Sequence, residues 1–152
     1  MKFFLIILIV FVAISPLLSM APGRRQRQLA RVRQHAQTGG LVVGLKEPPV
    51  SSGQRLSDGK MACYRLQRHP DETIKGVIGK QFFPSEEGWH GSGEVQGPVR
   101  SLLQQLPAGC AAVSIDGHGC SVYWDESGDT EAVDLLRGIM VDLLGLGRQP
   151  FD

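Results

Sequence analysis

Asp116, His118 and Cys120 fall within a five-residue stretch, and these are the residue types from which a thiol nucleophile, its base and an orienting carboxylate are built. The same stretch is also turn chemistry: Asp116-Gly117-His118-Gly119 suits a hairpin loop for conformational reasons alone, and Cys120 falls on the apolar side of the strand after it. No catalytic role is expected of them. His69, His90, His118 and Cys63 are zinc-ligand types, but no two form the close ligand pair such sites use, so no metal site is expected. Gly91-Ser92-Gly93-Glu94-Val95-Gln96-Gly97 stands ahead of a helix like a phosphate loop. It lacks both Gly-Lys-Ser/Thr and the dinucleotide spacing, and Glu94 would repel phosphate. Trp89 and Trp124 read as core or rim aromatics, and neither Gly-x-Ser-x-Gly nor His-Glu-x-x-His occurs. The expectation is no catalytic residue, no cofactor and no metal. The competing reading is an enzyme or small-ligand sensor at the membrane, using the 84–97 loop with His118.

Whatever these residues do, a small α+β domain over 39–152 must position them. Its best-defined element is a hairpin, Cys110–Ile115 with Cys120–Trp124. Pairing across Gly117-His118 puts Ala111, Val113 and Ile115 on one face with Cys120, Val122 and Trp124, and leaves Ala112, Ser114, Ser121 and Tyr123 on the other. A helix over 130–147, capped by Asp129 or Thr130, gathers Ala132, Val133, Leu135, Leu136, Ile139, Met140, Leu143, Leu144 and Leu146 on one arc. A shorter helix over 98–106 opens on Pro98 and shows Val99, Leu102, Leu103 and Leu106 at i, i+3, i+4, i+7. Both helices are expected to cover an antiparallel sheet that contains the hairpin. Leu41–Leu45, Met61–His69 and Val77–Phe83 read as further strands, 48–59 as a turn-rich loop and 84–97 as a long irregular one.

The N-terminus suggests where the domain sits. Phe3 to Ala21 is an uncharged, largely apolar run, long enough to span a bilayer as a helix, and it meets Arg24, Arg25, Arg27, Arg31 and Arg33 just after Pro22-Gly23. This predicts a single-pass anchor over 1–21 and a basic juxtamembrane helix over 22–38. The arginine collar would face anionic lipid headgroups, with the N-terminus outside the inner membrane and the domain in the cytoplasm. A cleaved signal, with the domain facing the periplasm, is the alternative. Three cysteines, Cys63, Cys110 and Cys120, are an odd number without paired spacing and suit a reducing compartment.

Charge narrows the partners. Residues 1–38 hold six Lys/Arg and no Asp/Glu, whereas residues 39–152 hold ten Lys/Arg and fifteen Asp/Glu, a net of −5. A domain of that sign is a poor match for nucleic acid, where phosphate neutralisation supplies most of the affinity. Nor does the arginine stretch have aromatic residues interleaved to stack bases.

The apolar run, Arg24-Arg25-Gln26-Arg27-Gln28 and Gly39-Gly40-Leu41-Val42-Val43 together resemble the YajC family of Sec translocase accessory subunits, and uncharacterised bacterial membrane proteins given that label. The resemblance covers residues 3–45. It lacks the family's Gly-Asp-x-Val pattern after the glycines, and it implies no catalytic residue. It implies an accessory role in protein translocation or another envelope complex. The sequence reading as a whole is a non-enzymatic, membrane-anchored protein with a small interaction domain and a membrane-protein partner.

Overall fold

The computed structural model describes residues 3, 4, 6, 7, 9, 23–49, 59–68, 79–92, 95 and 97–146. It divides into two units, Met1–Ala30 and Arg31–Asp152. In the first, Phe3, Phe4, Ile6, Ile7 and Ile9 are helical and exposed, and the helix α1 (Arg24–Thr38) begins. Among the described residues no helix is long and apolar enough to cross a membrane. That corrects the single-pass anchor, and with it the inner-membrane location and the cytoplasmic or periplasmic side assigned to the domain. Helix α1 starts after the apolar run and holds all five arginines of the collar. Residues 10–22, most of the expected span, lie outside the described residues.

The second unit is a six-stranded antiparallel sheet in the order β1-β2-β6-β5-β3-β4. Its strands are β1 (Leu41–Lys46), β2 (Met61–Gln67), β3 (Lys80–Ser85), β4 (Gly88–Gly91), β5 (Cys110–Asp116) and β6 (Gly119–Trp124). Two further helices, α2 (Gly97–Gln104) and α3 (Thr130–Leu146), complete it. Over the described residues from 23 on, the fold class is therefore α+β, an antiparallel sheet with three helices, and among the described residues there is no N-terminal helix able to span a membrane.

The central hairpin forms because Gly117-His118 is a two-residue loop flanked by Asp116 and Gly119, which pair with each other. Gly119 sits at φ +151, and a Cβ there would run into the carbonyl oxygen of Leu66, so no other residue fits between β6 and β2. The faces differ from the simple alternation at one end. A bulge between Cys110 and Ala112 places Cys110, not Ala111, opposite Trp124. Val113, Ile115, Val122 and Trp124 line the buried side, each at most 1% exposed.

Helix α3 starts at Asp129, whose Oδ1 accepts the N–H groups of Glu131 at 3.1 Å and Ala132 at 3.2 Å. It buries Val133, Leu136, Ile139, Met140, Leu143 and Leu144, while Leu135 and Val141 are each 46% exposed. Leu135 sits at the rim of the predicted arc, past the edge of the sheet contact. Val99 and Leu103 of α2 and Val32 and Ala36 of α1 join the same core. Fully burying a side chain of this kind is worth about 1.5–3 kcal/mol, so α3 with its six buried residues is the main clamp on the sheet.

The 84–97 region is not one irregular loop. Pro84 and Ser85 continue β3, Glu86-Glu87 turn, and β4 returns along it with Pro84 opposite Trp89. Pro84 is tolerated because the pairing of β5 with β3 stops at Phe82, so its missing N–H breaks no bond on that side. Residues 50–58 of the expected 48–59 loop, and His69, Val77 and Ile78, lie outside the described residues.

Candidate functional site

Arg33, Tyr64 and Glu126 are far apart in the chain and meet at one end of the sheet. Tyr64 is central in β2 and fully buried, because its row of β2 faces the helices and pairs with Val122. Arg33 follows the buried Val32 on α1 and so lies at the border of the core. Glu126 comes from the loop between β6 and α3. There Asp125 N–H donates to Gly109 O at 3.1 Å, Ser127 N–H to Asp125 Oδ1 at 2.9 Å, and Ser127 Oγ–H to Ala108 O at 3.2 Å. A Cβ on Gly109, which sits at φ +84, would collide with the Asp125 carboxylate, so this glycine lets the loop close.

Held at both sides, the loop turns Glu126 into φ +60, the one positive φ outside glycine among the described residues. Its carboxylate then points inward, with the side chain only 6% exposed. It accepts from Arg33 Nε at 2.7 Å, Arg33 Nη2 at 2.6 Å and Tyr64 O–H at 2.8 Å. Trp124 closes the floor, its ring edge-on to Tyr64 with centroids 5.7 Å apart and its Nε1–H donating to Ala108 O at 2.9 Å.

This geometry acts on two of the titratable groups, Arg33 and Tyr64. The hydrogen bond to Glu126 holds the Arg33 guanidinium above its ordinary value against the opposing effect of burial. Burial first, and then the bond to Glu126, push the Tyr64 phenol well above its ordinary value. A phenol so held does not ionise near neutrality. The cluster ties α1, β2 and the loop before α3 together at one end of the sheet. Beside it lies a cleft of about 290 Å³ whose walls include Arg33, Leu45, Lys60, Met61, Trp124 and Glu126. It is small for a drug-sized ligand and mixes apolar with charged walls.

The residues singled out from the sequence do not converge there. His118 is exposed on the hairpin turn, and its backbone N–H donates to Asp116 Oδ1 at 2.8 Å. Asp116 instead takes Arg65 Nη2 on both oxygens, at 2.8 and 2.9 Å. Burial opposes ionisation of Asp116, but the His118 N–H and Arg65 outweigh it and hold the carboxyl below its ordinary value. Cys120 is fully buried on the helix side, and burial pushes its thiol up to about 12, as it does for Cys110. Such thiols are unreactive. His90 lies over the ring of Phe83 with centroids 5.9 Å apart.

Among the described residues no three His, Cys, Asp or Glu side chains gather as a metal site, and Gly93, Glu94 and Gln96 lie outside them. Of the collar, Arg24, Arg25, Arg27 and Arg31 are exposed on α1, whereas Arg33 is bound to Glu126. Sequence reasoning missed Glu126 and Tyr64 because their partners stand 93 and 62 positions away. The local hint was an acidic pair, Asp125-Glu126, with two residues between it and the helix cap Asp129.

No family model matches the chain, and no curated protein or solved structure matches it either.

Proposed function

We propose that this chain is a non-enzymatic interaction protein whose working surface is the open edge strand β1 beside the cleft at Arg33 and Trp124. One observation supports it above the others. Among the described residues β1 pairs with β2 alone, and its Val42 and Leu45 are 49% and 58% exposed. An unpaired strand edge with exposed apolar side chains is what proteins usually blunt, and it is the surface that a partner's extended segment extends. The enzyme or sensor reading has less support, since His90, His118, Asp116 and the cysteines all lie outside the walls of the cleft. The N-terminal resemblance implies a translocation or envelope complex as the partner class.

Photo-crosslinking residues placed at 42 and 45, with one at the exposed Leu135 of α3 as control, test this in the native cell. Protein adducts from 42 and 45, absent at 135 and weakened from 42 by Leu45→Lys, are expected. Equal labelling at all three sites, or a purified chain that retains a small molecule or metal instead, overturns it.

A further inference from the structure

We propose that the occupant of the β1 edge is a second copy of this chain, the two β1 strands pairing antiparallel about a two-fold axis through Val43. The proposal rests on the reading of β1 as an interaction edge. Leu41, Val43 and Leu45 lie on the helix side of the sheet, because they pair with Leu66, Tyr64 and Ala62 in the row that contacts the core. That row, Leu-x-Val-x-Leu, reads the same from either end. A two-fold through Val43 sets Leu41 opposite the second copy's Leu45 and Val43 opposite its equivalent, an isologous contact in which each patch meets itself. On the other side of the sheet the same register sets Val42 against the second copy's Gly44, the exposed apolar side chain there against the smallest residue. Moving the axis to Gly44 would set Val42 against Lys46 instead. Shifting the pairing by a single residue would turn the apolar row of one copy to the polar side of the other.

Charge supports the same register independently. Continued one position beyond the strand ends, it places Glu47 of the second copy opposite Gly39. Arg137 lies there: its Nε donates to Gly39 O at 2.7 Å, and its Cδ is 3.5 Å from where a Gly39 Cβ would stand. Glu47 and Arg137 are both exposed, and neither has an ion-pair partner among the described residues. Glu47 continues the Leu41-Val43-Leu45 row on the helix side, where α3 presents Arg137. The two-fold makes two such pairs.

Sedimentation of the full chain over a dilution series should show a monomer–dimer equilibrium. Leu45→Lys should abolish it, and Glu47→Arg or Arg137→Glu should each weaken it about tenfold or more, since both symmetric pairs become repulsive. Mixing the two charge variants should restore it. The arginine introduced at position 47 of one copy then faces the glutamate introduced at position 137 of the other, and the native Glu47–Arg137 pair forms at the second position. An internal role for either residue would not produce that rescue. A chain monomeric at every concentration, a dimer indifferent to these substitutions, or a mixture no tighter than its components overturns the proposal. A monomer whose crosslinks from 42 and 45 reach a different protein removes the second copy but keeps β1 as an interaction edge. A monomer without such crosslinks removes both.

Discussion

Arg33–Glu126 and Arg65–Asp116 are the same chemistry in two settings. In the first, the acid's side chain is 6% exposed, is fixed by a strained loop and takes a third bond from a buried phenol. In the second, the acid is 42% exposed at a hairpin turn, and Arg65 is also bonded to Ser121 Oγ at 3.3 Å. Water can replace the guanidinium around Asp116. Around Glu126 it cannot without opening the core at Tyr64 and Trp124. Bond lengths within about 0.3 Å of each other therefore do not mean equal contributions, and burial of the acid sets the difference.

The largest effect should come from Arg33→Met, which leaves the Glu126 carboxylate with Tyr64 alone. The expected loss is roughly 2–4 kcal/mol in denaturant unfolding, below the fully buried case because the arginine side chain is 37% exposed. Adding Glu126→Gln should recover part of that loss. Additive losses in this cycle would mean the pair is not coupled and the contrast between the two sites is mistaken.

Tyr64→Phe ranks next, at about 1–2 kcal/mol for one charge-assisted bond. It also has a signature at high pH. The folded phenol ionises well above the unfolded value of 10.0, so its contribution is complete below that value and is lost as pH rises past it. Wild type should lose stability over that alkaline range more steeply than Tyr64→Phe. Parallel curves would show that Tyr64 is not held by Glu126.

Arg65→Met should cost least, about 0–1 kcal/mol. The sign of its pH dependence is opposite. Asp116 is held below its ordinary 3.8, so its contribution is present above that value and is lost as pH falls through the folded one. The variant should flatten this acid limb in part, because the His118 N–H still holds the carboxylate. A loss as large as that of Arg33→Met would erase the distinction between the two pairs.

How much of this could be read from residue order follows from the range of each interaction. The 110–124 hairpin and the α3 helix depend on neighbours two to four positions apart, and the reading located both. Val113, Ile115, Val122, Trp124, Leu136, Ile139 and Leu143, expected in the core, are each at most 3% exposed. Local pattern misled where one residue changed the phase or a turn lacked glycine in the loop itself. The bulge exchanged Ala111 for Cys110, and Glu86-Glu87 made a hairpin of what read as a loop. It misled most at the N-terminus. There the apolar run and the arginines predicted a spanning anchor, yet no described helix is long and apolar enough to cross a membrane.

Composition and short-range periodicity, then, specified a hairpin and a capped amphipathic helix, because each depends on contacts within about one turn or one loop. Three things needed the folded chain. These are the sheet order that leaves β1 at an edge, the inward turn of Glu126, and its meeting with an arginine 93 positions earlier. Each arises from which buried surfaces meet across the core, and nothing in the spacing along the chain encodes that.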